Sequence, residues 1–331
     1  MVKVLPAFRP NGAAFSIGSR RIMDVTLHIG AHRTATTTFQ AYAALQSEAL
    51  VAAGAAFWGP VEPRRGLFAD SEAEGEDEVI LRAGSRLQVM MAAARVRGLQ
   101  RLLVSDADFL GTIGENLETG VLYPKAGARV ARHVAAFEGQ VQRIILCPRS
   151  LDVYWRSLVG FGVAQGAKLP DRERLAGIAN GHRSWRDVIT EIAQSVPDVA
   201  LEILPAERFS ARPDALLAAA LDVDVPRNTD RTLRNRTPQL PELRRLLAER
   251  GEDGSILPFG MESWSPFTSE EYAALREAYA DDMMWLIGGA DGLATLTESF
   301  PRTRAATMLP VGAQSKGHGD EREERKMARP G

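Results

Sequence analysis

The chain has 331 residues, 40 Lys+Arg against 42 Asp+Glu, a formal net charge of −2 and 45% hydrophobic content. That length supports one large α/β domain with a substantial core, and the near-neutral charge gives no global electrostatic footing for nucleic acid or an anionic membrane surface. A single cysteine, Cys147, excludes an internal disulfide framework and a cysteine-rich metal site, and no apolar run approaches a membrane span, so the expectation is a cytoplasmic protein without metal.

Taken in chain order, residues 1–22 carry Lys3, Arg9, Arg20 and Arg21 and no acid. Their apolar stretch is too short and broken for a secretory signal. They read as a disordered extension, with Met23 as the true start because a strand follows it directly. Residues 25–40, VTLHIGAHRTATTTFQ, hold the densest signal. A short apolar strand (25–29) runs into a turn at Gly30. A polar run with Arg33, Thr34, Ala35, Thr36, Thr37 and Thr38 follows, and Phe39, Tyr42 and Leu45 then recur at helical spacing. A strand, a tight loop and a helix start aim backbone N–H groups and a helix dipole at one point, which suits phosphate. The plainer alternative is a βα turn whose hydroxyls only cap the helix.

Further strands are expected at 55–58, 102–106, 142–147 and 200–204. Helices are expected at about 36–52, 80–98, 126–138, 151–164, 184–195, 213–221, 240–249 and 269–287. The acidic run 71–78 reads as a solvated loop, and 166–183, with Gly, Pro and mixed charges, as a surface excursion near the mouth of a site. Cys147 falls inside a strand and reads as core, as does His28. The last 21 residues, 311–331, carry five Lys/Arg against four Asp/Glu and almost no large apolar side chain, which reads as a disordered tail. Alternation of strand and helix predicts a three-layer α/β/α fold with a mostly parallel central sheet. The expected organisation is an extension at 1–22, one domain at 23–290 and a largely disordered tail at 291–331. In such a sheet ligands bind beyond the carboxyl ends of the strands, where Gly30 to Thr38, Asp106 to Asp108 and Arg149 all fall.

The ATP/GTP loop pattern is G-x-x-x-x-G-K-[ST]. Here the same frame reads Gly30, four residues, Ala35, Thr36 and Thr37, with the only cation displaced to Arg33. That displacement argues against an ordinary kinase or ATPase. The run Arg33-Thr34-Ala35-Thr36-Thr37 resembles instead the 5′-phosphosulfate loop, roughly K-[ST]-G-T-T, of sulfotransferases that use 3′-phosphoadenosine 5′-phosphosulfate (PAPS). Arginine stands for the lysine and alanine for the glycine. A second segment, QRIILCPRSLDVYWRSLV (142–159), resembles that family's R-x-P-x-D-x-x-x-S pattern. Arg149 follows a strand and Ser157 lies eight residues on in the next helix (157 − 149 = 8), with Asp152 between them. A guanidinium makes a bidentate pair with phosphate, and a serine adds a donor one helix face away. Weaker likeness extends over roughly 24–288.

The resemblance implies a P-loop-type nucleotide-binding fold and sulfuryl transfer from PAPS to a hydroxyl of a carbohydrate, lipid headgroup or small metabolite, leaving 3′,5′-adenosine bisphosphate. It implies Arg33 as the cation at the leaving oxygen, Arg149 and Ser157 as the 3′-phosphate pair, and Arg234, Asn235 and Arg236 as a late basic segment closing on that phosphate. The plain reading of 234–236 is a solvated basic loop. Asp106, Asp108 and His32 are the candidate bases. In the competing reading SDADF is a strand-to-helix turn with Asp108 as N-cap. Arginine does not donate a proton near neutral pH, so a catalytically weak or inactive nucleotide-binding relative is the alternative, ahead of a P-loop phosphotransferase. Loops at 60–80, 109–125 and 160–183 are the expected acceptor walls.

Overall fold

The computed structural model describes residues 23–61, 76–230, 232 and 234–300. The expected extension at 1–22, the acidic residues 71–75 and the segment 301–331 lie outside the described residues.

Five strands fall where the apolar runs put them: β1 (Asp24–His28), β2 (Ala55–Trp58), β3 (Arg101–Ser105), β4 (Val141–Leu146) and β5 (Ala200–Ile203). A sixth, β6 (Thr295–Leu296), lies inside the segment expected as tail and pairs with β5, so the ordered chain runs past residue 290. The six form one sheet in the order β2-β3-β1-β4-β5-β6, with every pairing parallel.

Because side chains alternate along a strand, the central strands between them feed two cores. Val25, Leu27, Leu102, Val104, Ile144 and Leu146 join one apolar cluster. Leu103, Ile145 and Cys147 join another. The first is roofed by α3 (Glu76–Val96), α5 (Ala126–Ala136), α6 (Leu151–Ala164) and α8 (Trp185–Ser195). The second is covered by α1 (Thr36–Leu45), α2 (Ser47–Ala52) and α10 (Pro213–Leu221). The architecture is therefore a three-layer α/β/α fold. Each fully buried Leu, Ile or Phe in these layers contributes about 1.5–3 kcal/mol of transfer free energy.

Three helices were not expected: α4 (Ile113–Thr119), α7 (Arg172–Ala179) and the single turn α9 (Ala206–Phe209). The first two carry start signals in the sequence, since Thr112 caps Glu115 N and Asp171 caps Arg174 N. The helix expected over 36–52 is two, broken at Gln46. Helix α3 starts inside the acidic run, at Glu76, rather than near 80. With α11 (Leu240–Glu249) and α12 (Ser269–Ile287), twelve α-helices stand among the described residues.

The chain leaves β1 toward one face of the sheet through α1, and leaves β4 toward the other through α6. The crevice between the carboxyl ends of β1 and β4 is thus the topological switch point, where an open parallel sheet places its ligand.

Candidate functional site

The ladder between β1 and β4 continues past both strands. Ile29 N donates to Ile145 O, Ala31 N to Cys147 O, and Cys147 N to Gly30 O at 2.6 Å. Gly30 turns the chain at φ 96°, and a Cβ there would stand 3.0 Å from the Cβ of Ala107. Arg33 (φ 62°) and Ala35 (φ 64°) both adopt the left-handed conformation, so the loop folds into a tight concavity of backbone amides. Ala35 is the N-cap of α1, and no side chain caps that helix. Among the described residues the first-turn amides of α1 thus have neither an intrahelical nor a side-chain acceptor, which is what an anion site requires.

The four threonines divide. Thr34 and Thr36 both donate to Ala31 O, at 2.7 and 2.9 Å, so their hydroxyls hold the loop's own shape. Thr37 Oγ1 accepts from Asn235 Nδ2 at 3.2 Å, and Thr38 Oγ1 accepts from the Arg234 backbone N–H at 3.0 Å. The threonine run is therefore a joint between two loops as much as a ligand surface.

Arg33 lies across the crevice. Its Nε donates to Ser157 Oγ at 3.0 Å, one Nη donates to Thr237 Oγ1 at 3.2 Å, and Cζ sits 4.1 Å above the Phe161 ring. Ser157 and Thr237 are themselves 2.7 Å apart. Arg149, after β4, donates to the backbone carbonyl of Arg33 at 2.6 Å, and its own carbonyl accepts from Trp185 Nε1 at 2.7 Å. Arg33 and Arg149 are thus brought together. Burial, with the like charge of Arg149 beside it, pulls the Arg33 guanidinium down to about 10. Burial also lowers Arg149, against the longer-range pull of Glu207 and Asp152. Among the described residues no carboxylate lies within ion-pair distance of either guanidinium.

A cleft of about 630 Å³ opens on this arrangement, within the range of small-molecule sites. His32, Arg33, Ala35, Thr36, Thr37, Asp106, Asp108, Arg149, Ser157, Arg234, Asn235 and Arg236 all line it; Gly30, Thr34 and Thr38 do not. Arg236 ion-pairs with Glu242 at 3.2 Å, both side chains exposed, so the plain reading of that arginine as a neutralised surface cation fits its partner.

The acids beyond β3 differ from the expected turn. Asp106, not Asp108, is the cap: it is 2% exposed and accepts from Asp108 N at 3.1 Å. Asp108 is left at the cleft, where its carboxylate meets His32 Nε2 at 2.9 Å. His32 Nδ1 faces the hydroxyl of the buried Tyr123, also at 2.9 Å. His28 is core, with Nδ1 2.8 Å from Ser105 Oγ, and burial lowers its pKa to about 3. His133 packs its ring on Phe109, and His182 borders a separate cavity of about 550 Å³ between α6, α7 and α12.

That second cavity corrects the expectation for 166–183. Apolar residues of α7 (Leu175, Ile178, Ala179) pack into the core, which draws the segment away from the cleft. Among the described residues only Phe161 of 160–183 lines the cleft, together with Thr112, Ile113 and Gly114 of 109–125 and Pro60 of 60–80, where 62–75 lie outside the described residues. Thr237, Phe161 and Gln40 were missed by sequence reasoning. Phe161 lies one helical turn after Ser157 and Gln40 one turn after Thr36, so helical spacing carries a signal for both. Nothing local singles out Thr237 or Tyr123.

No protein-family model matches the chain, and no curated protein matches it. Among the described residues no group of three His, Cys, Asp or Glu side chains is arranged to hold a metal ion, and no helix is long and apolar enough to cross a membrane.

Proposed function

We propose that this chain is a PAPS-dependent sulfotransferase acting on a hydroxyl of a carbohydrate, lipid headgroup or small metabolite. One observation carries the reading: two part-buried guanidiniums converge on one cleft, Arg33 on hydroxyls and Arg149 on a backbone carbonyl, and among the described residues no carboxylate ion-pairs with either. Buried cations without counter-charge are costly unless an anion completes them. Two phosphate-class groups on one ligand would satisfy the arginine pair and the uncapped start of α1 at once.

In this reading Arg149, Ser157, Arg33 and Thr237 hold the 3′-phosphate, and the amides of 33–37 hold the 5′ end. The bound nucleotide supplies an activated sulfuryl group; the chain supplies position and charge. The donor set suits that nucleotide, since planar guanidiniums chelate phosphate oxygens in pairs. The acceptor would enter from the side of Asp108, Thr112 and Pro60.

A second reading is a relative that binds the nucleotide without turnover. It is favoured by Arg33, whose guanidinium is engaged by Ser157 and Thr237 instead of reaching over the amide concavity. Thermal shift with 3′,5′-adenosine bisphosphate against ATP with Mg²⁺ tests both readings together. Stabilisation by the bisphosphate and not by ATP is expected; the reverse result would favour a phosphotransferase and end the proposal. Transfer of labelled sulfate to a hydroxyl panel then divides enzyme from binder. Arg149→Ala should weaken the bisphosphate about 30-fold or more, a loss of about 2 kcal/mol.

A further inference from the structure

We propose that Asp108 is the base that takes the acceptor's hydroxyl proton, and that His32 and Tyr123 are positioning residues that hold its carboxylate toward the cleft. This rests on the sulfotransferase reading.

Asn116 Nδ2 donates to Tyr154 Oη at 2.9 Å, and its Oδ1 accepts from Tyr123 N at 3.1 Å. The Tyr123 oxygen accepts the His32 backbone N–H at 2.9 Å. The phenol has its own proton to give to His32 Nδ1, 2.9 Å away. A carboxylate only accepts, so Nε2 carries the proton of the neutral imidazole and donates to Asp108 Oδ1 at 2.9 Å, and Nδ1 accepts from the phenol. From the Tyr123 hydroxyl through His32 to the carboxylate the donors point one way, and such chains polarise cooperatively.

This geometry separates the three candidates. Asp106 is buried and committed to capping the turn. His32, 11% exposed at the side chain, has both ring nitrogens engaged, so no lone pair of the ring faces a substrate. Asp108 lines the cleft, and its side chain is the most exposed of the three, at 39%. In the step itself the acceptor O–H bond breaks, an O–H bond forms on the Asp108 carboxylate, and the electron pair stays on the acceptor oxygen. The proton then leaves Asp108 for water, and the relay behind it returns unchanged.

The test begins with bisphosphate thermal shift on the wild-type chain. Absence of a shift sinks the sulfotransferase reading itself, and this inference with it, before any variant is made. With a shift in hand, PAPS turnover is followed with water and with the hydroxyl panel as acceptors. Asp108→Asn should retain the bisphosphate shift and lose at least about 100-fold in kcat, the scale of one general base. Tyr123→Phe, which keeps the ring and its packing, should lose about tenfold in kcat at unchanged acceptor KM. Its His32 ¹⁵Nδ1 resonance should shift, having lost the hydrogen bond from the phenol. Wild-type turnover in Asp108→Asn, or bisphosphate binding by the wild type with no turnover above buffer, would overturn the base. A His32 spectrum unmoved by Tyr123→Phe would overturn the positioning role.

Discussion

Arg33 shows how one side chain changes what a phosphate loop does. A lysine there would present one point charge. The guanidinium spans Ser157 and Thr237 and lies flat on Phe161. Arg33→Lys keeps the charge and loses that span, so bisphosphate affinity measured calorimetrically is expected to fall about tenfold; an unchanged affinity would remove Arg33 from the phosphate contacts. At Gly30 the positive φ and the approach of Ala107 leave no room for a side chain. Gly30→Ala is expected to cost about 1–3 kcal/mol in urea unfolding. His28 sets a pH dependence. Its folded pKa of about 3 lies below the ordinary value of 6.5, so the unfolded chain binds the extra proton between those two values. Stability is therefore complete above about pH 6.5 and drains away as pH falls toward 3. From pH 7 to pH 5 this one group should remove on the order of 2 kcal/mol, and in His28→Gln that part of the decline should be missing.

At the scale of elements, the entry to α1 is built against the usual preference. Ala35 occupies a left-handed N-cap without a side-chain hydrogen bond, a conformation that costs a non-glycine residue about 1 kcal/mol. Ala35→Gly is thus expected to raise stability slightly, by up to about 1 kcal/mol, where alanine-to-glycine changes elsewhere in a helix lower it. The loop at 234–237 is tied to α1 through Thr37 and Thr38. Thr38→Val should accelerate hydrogen exchange at the Arg234 amide and leave the sheet amides untouched. These elements also mark what the sequence discloses. The strand-turn-helix at 25–40 and the pair Arg149–Ser157 were legible because their spacing is local and periodic. Helix α7 was obscured by its mixed charges, although its capping aspartate was in view. Strand β6 is two residues long, too short for any period to register. Tyr123 and Thr237 act across 91 and 204 residues of sequence respectively, and such pairings are set by topology alone.

For the whole molecule, the sheet gathers charge that composition conceals. A chain with net charge −2 focuses two arginines at its switch point. Sulfate should therefore stabilise the protein beyond chloride at equal ionic strength. At about ten times its dissociation constant the gain is about 1.4 kcal/mol, or roughly 2–4 °C in Tm for a domain of this size. In Arg149→Ala the two salts should become equivalent. The fold explains why the site residues were legible only in groups: those leaving the same strand end appear together in sequence, and the parallel sheet alone puts the groups side by side.

The seam joining the exits of β1 and β4, where Cys147 N meets Gly30 O and Arg149 grips the Arg33 carbonyl, makes the two halves of the cradle a single mechanical part. Whatever seats itself on one half stiffens the other. Split into two fragments, each with one terminal phosphate, a doubly phosphorylated nucleoside should still be recognised, the first fragment tightening the grip on the second.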